Sequence, residues 1–228
     1  MKASITTRLA AEAIGTFGFF FLGFMGIASL VEQGPGAIGG GGIAAGFGLG
    51  LALMIAAFGH VSGGHYNPAV TAGLAVGRQF PMAEVPLYWG AQVVGGLVAA
   101  LVVRALTSSK TADTIVNNPG GGVSDGKALL IEIIATALFL LVIQAVATDA
   151  TAPWNGVLAP VVIGGFVFTA ATVVGPFTSG SFNPARSLAP AIVAGDFSNL
   201  WIYIVGPLLG GIVGGVVYAA VRSGRSPL

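Results

Sequence analysis

Two identical triplets stand in the two halves of the chain, Asn67-Pro68-Ala69 and Asn183-Pro184-Ala185. Asparagine is a favoured helix N-cap and proline is favoured at the first helical position, so each triplet predicts a helix start. An asparagine side chain carries one acceptor oxygen and an NH₂ with two donors. Capping takes the oxygen and leaves the NH₂ to donate to a passing molecule. One such Asn alone would read as a cap; two in matched positions read as a paired donor site. The apolar stretches that follow, roughly 67–77 and 183–194, cover at ~1.5 Å per residue only about half of a ~30 Å hydrocarbon core. They are surface loops or re-entrant half-helices. Their matched positions favour half-helices whose N-termini point into the interior of a membrane protein.

Facing half-helices also set a field. Each N-terminus carries about +0.5 of an elementary charge, so two at one midplane repel cations, hydronium included. A water that accepts from both asparagines must turn its hydrogens outward, which interrupts a proton wire without stopping water. Pore diameter, donors and dipole barriers of this kind are the logic of a water channel. Arg186 follows the second triplet directly. An arginine in a membrane interior is costly and usually functional. A snorkelling side chain is the bland reading, and the embedded half-helix argues against it. Glu12 and Glu132 are also intramembrane charges. They read as proton-relay carboxylates or as structural acceptors for loop backbone. Their matched positions at the start of each half favour the structural role. His60 reads as a packed residue near one mouth, and neither it nor His65 belongs to a metal set. No catalytic residue set and no cofactor motif appears.

The elements that must hold these residues lie in a bilayer. Of 228 residues, 55% are hydrophobic and 7% charged, against about 25% charged in a soluble domain. The 37 glycines suit close helix packing in lipid. A net charge of +1 argues against a nucleic-acid partner, and the lack of cysteine removes thiolate metal sites and disulfides. Six runs, roughly 8–31, 41–61, 82–107, 127–148, 154–175 and 199–222, each approach the ~20 residues that cross a bilayer. The first reads as a retained helix rather than a cleaved leader.

The halves read as repeats, about 8–107 and 127–222, of one transmembrane domain. Glu12 and Thr16 match Glu132 and Thr136, and Gly95-Gly96 match Gly210-Gly211. Three spans per repeat is an odd number, so the copies are inverted and the half-helices enter from opposite faces. The expected fold is all-α and integral to the membrane: six transmembrane helices plus two re-entrant half-helices. Lys2, Arg8, Arg78, Arg222 and Arg225 fall on the side of the termini and favour a cytoplasmic position for them. Asn117-Asn118-Pro119 contains Asn-Pro, but Gly120-Gly121-Gly122 follow; this segment predicts only a loop that links the repeats.

The segments Ser62–Thr71 and Gly180–Ser187, with the Glu-x-x-x-Thr pairs and the six-span layout, resemble the major intrinsic protein family of aquaporins and glycerol facilitators. The resemblance covers nearly the whole chain. It implies an hourglass monomer with its own pore, a homotetramer and an aromatic/arginine filter; the expected site is a cell membrane, plasma or inner. Carried over position by position, that filter is Phe47, Ala171, Gly180 and Arg186; a slip of one residue would put Ala170 or Thr172 in place of Ala171. Strict water channels resemble Phe, His, a small residue and Arg, whereas glycerol facilitators look like Trp, Gly, Phe and Arg. Ser187 and Ala191 resemble water channels. Tyr203 keeps an aromatic found there, and Ile204 replaces a second. Together these imply a water channel with a widened filter.

The leading reading is therefore a passive channel for water that leaks small neutral solutes. A facilitator for glycerol, urea, ammonia or hydrogen peroxide is the alternative. An ion-coupled transporter would need ionisable groups at the midplane, where the half-helices bring only Arg186. A structural membrane protein would have no use for both asparagines and the arginine. An enzyme is not expected.

Overall fold

A computed structural model describes residues 3–152 and 156–223. The expected start of the fifth span at 154 and the cations Lys2 and Arg225 lie outside them. The described chain is helical, with no strand. Its long helices are α1 (Ile5–Gln33), α2 (Gly39–Ser62), α4 (Val85–Leu106), α6 (Asp125–Ile143), α7 (Ala159–Thr178) and α9 (Leu200–Ser223). A 3₁₀ turn, Met82–Glu84, leads into α4, and a π turn, Gln144–Thr148, ends α6. Six segments are long and apolar enough to cross a membrane. Between them lie the half-helices α3 (Pro68–Val76) and α8 (Pro184–Ala194) and a short helix α5 (Ser109–Thr114).

Ser4, Asn67, Ser108 and Asn183 each accept from backbone N–H groups one turn on and start α1, α3, α5 and α8. Left-handed Gly63 and Gly195 end α2 and α8. α5 departs from the sequence reading, which gave the repeat linker no helix. Glu32 at the end of α1 accepts from the Ser108 N–H and hydroxyl and from the Thr111 hydroxyl, at 3.0, 2.5 and 2.7 Å, and so fixes that turn.

The packing repeats in the two halves. α1 lies against α2 and α4 as α6 lies against α7 and α9, while α2 and α7 meet across the halves. Glycine sets the separation. A Cβ added at Gly95 would strike the Ala13 carbonyl of α1, and one added at Gly210 would strike the Ile133 carbonyl of α6. Half-helix α3 seats on α9 in the same way, through Gly73, Gly211 and Gly215. Long apolar side chains such as Leu49, Leu101, Leu138 and Val161 point outward, as lipid-facing helices require.

The buried carboxylates act inside this frame. Glu12 accepts from the Ser62 hydroxyl, the His65 and Tyr66 N–H groups and the Gln92 amide, at 2.6 to 3.0 Å. Glu132 accepts from the Thr178 hydroxyl and the Ser181 and Phe182 N–H groups, at 2.7 to 3.0 Å. Each thus ties its own long helix to the loop that precedes a half-helix. His60 is exposed, which corrects its expected packing. It lies in the last turn of α2, where the helix reaches its end.

Candidate functional site: two facing half-helices and an axial cavity

Each asparagine caps its own half-helix. Asn67 Oδ1 accepts from the N–H groups of Ala69 and Val70, at 2.8 and 3.4 Å. Asn183 Oδ1 accepts from those of Ala185 and Arg186, at 3.0 and 3.4 Å. Pro68 and Pro184 take the first helical position, and Ala69 and Ala185 are fully buried behind them.

The amide donors correct the sequence reading. Asn67 Nδ2 donates to the Phe182 carbonyl at 2.8 Å, and Asn183 Nδ2 donates to the Tyr66 carbonyl at 2.9 Å. One N–H of each amide is therefore taken, and one remains to donate elsewhere. The cause is the loop backbone. Tyr66 and Phe182 have positive φ, +47° and +53°, a conformation that costs a non-glycine residue about 1–2 kcal/mol. Each is gripped at both ends: its N–H by the buried Glu of its own half, its carbonyl by the Asn of the other half. A buried carbonyl needs a donor, and the opposite asparagine supplies it.

A cavity of about 390 Å³, measured with its open mouth, runs past this meeting point. Asn67, Asn183, His65, Ser181, Gly180 and Arg186 give its polar lining; Phe19, Phe47, Leu51, Phe139 and Val167 give its apolar wall. Ala171 also lines it. Its neighbours do not: Ala170 packs against Ala135 and Phe182, and Thr172 donates to the Phe168 carbonyl. The four residues Phe47, Ala171, Gly180 and Arg186 thus share one cavity. Gly180 has φ +56°, and a Cβ built there would lie 3.6 Å from the Ala171 Cα, so these two positions adjoin and present almost no side chain.

Arg186 is 3% exposed, which rules out snorkelling. Its guanidinium donates to the Ile115 carbonyl at 2.8 Å and to Asn117 Oδ1. It also lies 5.3 Å from the centre of the Phe47 ring and 5.6 Å from that of Phe24, within cation–π reach. Phe47 is held edge-on between Phe19 and Phe24. Among the described residues the one ion pair is Arg8–Glu84, so no carboxylate contacts Arg186, although the buried Glu132 carboxylate attracts it from a distance. Asn117, Phe24 and Phe19 escaped the sequence reading. Asn117 lies in the linker segment taken as a plain loop, and the two phenylalanines lie in a helix apolar on every side. Among the described residues no three of His, Asp and Glu gather as metal ligands.

Six crossing helices around two half-helices that meet end to end, with a lined axial cavity, define a membrane channel. The chain belongs to the major intrinsic protein family: the family model of that description matches residues 1–218. It is 42% identical over 224 residues to "Probable aquaporin NIP4-2" of Arabidopsis thaliana, covering 98% of this chain and 77% of that one. It is 40% identical over 223 residues to Nodulin-26 of Glycine max, covering 97% and 80%. The solved aquaglyceroporin of Plasmodium falciparum superposes with a TM-score of 0.88 at 24% identity, over 96% of this chain and 97% of that one; at that identity the likeness concerns the fold. The protein is an integral multi-pass membrane channel for water or small solutes, and not an enzyme.

Proposed function

We propose that the pore conducts water and, through a widened constriction, lets small uncharged solutes follow. Phe47, Ala171, Gly180 and Arg186 form the constriction, and Asn67 and Asn183 form the donor pair at the pore centre. One observation carries this reading: the wall made by Ala171 and Gly180 adjoins the cavity with a methyl group and a bare backbone. The free N–H of each asparagine and the Arg186 guanidinium donate to a passing oxygen. Phe47 and its apolar neighbours give the other wall. Two half-helix N-termini and a guanidinium with no carboxylate in contact keep the potential positive, so cations and protons are excluded. The relatives named as aquaporins support water as the first solute.

The same reading makes residues 1–228 one channel domain, with repeats of about 8–107 and 127–222. It also takes the active form as a homotetramer in a cell membrane, plasma or inner, with cytoplasmic termini. The test is stopped-flow light scattering on proteoliposomes under water, urea and glycerol gradients, beside a pH-sensitive dye. Fast water flux with measurable urea or glycerol flux and no proton flux is the expected result. Solute flux that exceeds water flux would make the facilitator reading the better one. Proton flux comparable to water-driven shrinkage would overturn both.

A further inference from the structure

The segment that joins the two halves reaches deep into the molecule. Asn117 is 2% exposed and Ile115 is fully buried. Asn117 Oδ1 accepts from the Arg186 guanidinium and also from the Ser187 hydroxyl, at 2.8 Å for the latter. The Ile115 carbonyl takes a second bond from the same arginine nitrogen. The linker is itself tied to the loop before α8. Asn118 N–H donates to the Ser179 hydroxyl at 3.2 Å, that hydroxyl donates to the Asn118 carbonyl at 2.7 Å, and Gly120 N–H donates to the Phe177 carbonyl at 2.8 Å.

We propose that Asn117 is a positioning residue for the constriction: its side-chain oxygen fixes the direction of the Arg186 guanidinium through a neutral contact that adds no negative charge to the pore. This rests on the reading of Arg186 as the donor of the constriction. The argument is electrostatic and geometric. A guanidinium in a dry site binds any acceptor offered, and a carboxylate would bind it most strongly. Here the partners are a carboxamide oxygen and a backbone carbonyl, both neutral. They orient the group without cancelling its charge. Arg186 Nε has no protein partner, so the side chain is steered from one end only. Among the described residues the carboxamide oxygen is the one side-chain acceptor bonded to the guanidinium, and Ser187 on the same half-helix shares it. The linker therefore fixes a pore group that the half-helix alone would leave free to rotate.

The test uses the full chain in proteoliposomes and compares Asn117→Leu, Asn117→Asp, Arg186→Val and wild type. Leucine keeps the branching at Cγ and removes the acceptor. The urea-to-water flux ratio should change by about 3- to 10-fold, the weight of one hydrogen bond, with water flux largely kept. Aspartate keeps the acceptor, adds a charge and gives up the long 3.4 Å donation from Asn117 Nδ2 to the Ser179 carbonyl. The flux ratio should stay near wild type while proton or sodium leak rises, because the guanidinium is neutralised. A leucine variant with the wild-type ratio, or leucine and aspartate variants with the same altered ratio, would overturn the proposal. If the leucine variant fails to insert, the isosteric aspartate variant decides by itself: unchanged charge exclusion overturns it. An Arg186→Val channel with the wild-type ratio would instead bring down the reading of Arg186 as the constriction donor.

Discussion

Asn67 Nδ2 donates at 2.8 Å to the carbonyl of Phe182, the residue directly before Asn183. The bond crosses from one half of the molecule to the other, and the reciprocal bond from Asn183 to Tyr66 closes the pair. Each asparagine therefore starts its own half-helix, holds the strained residue at the start of the other, and keeps one N–H for the cavity. On the proposed reading, stability and conduction rest on the same amide.

Asn67→Asp separates those roles. The carboxylate can still cap α3 with one oxygen, but its second oxygen faces the Phe182 carbonyl, acceptor to acceptor. The lost donor leaves a buried carbonyl unsatisfied, at a cost of about 1–3 kcal/mol. Thermal unfolding in detergent, followed by tryptophan fluorescence, should show a lower Tm. A negative charge at the pore centre should also open a cation leak that wild type lacks. An unchanged Tm would mean that the cross-bond carries no stability.

The buried carboxylates lead to a second expectation. Glu132→Gln keeps the shape but turns one acceptor into a donor facing the Phe182 or Ser181 N–H. Bonds to a charged group are worth about 1.5–3 kcal/mol each. Glu12→Gln should cost more, since Glu12 serves four donors and Glu132 three. Both variants should lower the yield of folded channel and its Tm, Glu12→Gln the further. A relay carboxylate would behave differently: its Gln variant would fold normally and lose a proton-coupled flux.

Helix spacing supplies a third. Gly211→Ala drives a methyl into the Ala69 carbonyl of α3, whereas Gly90→Ala meets nothing within 4 Å. Overpacking of this kind costs about 1–3 kcal/mol. Gly211→Ala should destabilise the channel and lower water flux, because α3 must shift. Gly90→Ala should leave both unchanged. Equal behaviour of the two would remove the close approach of α3 and α9 as the cause.

Much of this was legible in the sequence because it is local. A cap followed by proline, a run of twenty apolar residues and a short apolar run after each triplet all announce themselves within one window. The matched Glu12 and Glu132 marked the repeat, and three spans per repeat gave the inversion. What stayed hidden is tertiary. Asn117 lies in a glycine-rich linker and gains its role only because that linker folds back 69 residues along the chain onto Arg186. The amide donors looked free because their acceptors, the carbonyls of Tyr66 and Phe182, sit in the other half. Phe19 and Phe24 could not be told from lipid-facing neighbours, since their stretch of α1 is apolar on every side; Phe47 was placed by the family resemblance alone.

On the proposed reading the wall made by Ala171 and Gly180 sets the solute range, and Ala171 is the place to test it. Gly180 is a poor target, because its φ of +56° strains any side chain whatever space exists. Ala171 sits in a regular stretch of α7 and faces the cavity, so a larger residue there adds bulk without altering the backbone. Ala171→His should project an imidazole towards Arg186 and Phe47. It would narrow the passage and add a polar contact opposite the guanidinium. Water, which needs only a single-file path, should pass at a rate close to wild type. Urea and glycerol should fall by about 10-fold or more, a difference in barrier of only ~1.4 kcal/mol. The neighbouring changes Ala170→His and Thr172→His serve as controls. The first should disrupt packing against Ala135 and Phe182, and the second should leave the flux ratio alone. If wild type already excludes both solutes, the open wall is not the constriction. If Thr172→His rather than Ala171→His changes the ratio, the fifth spanning helix presents a different face to the pore.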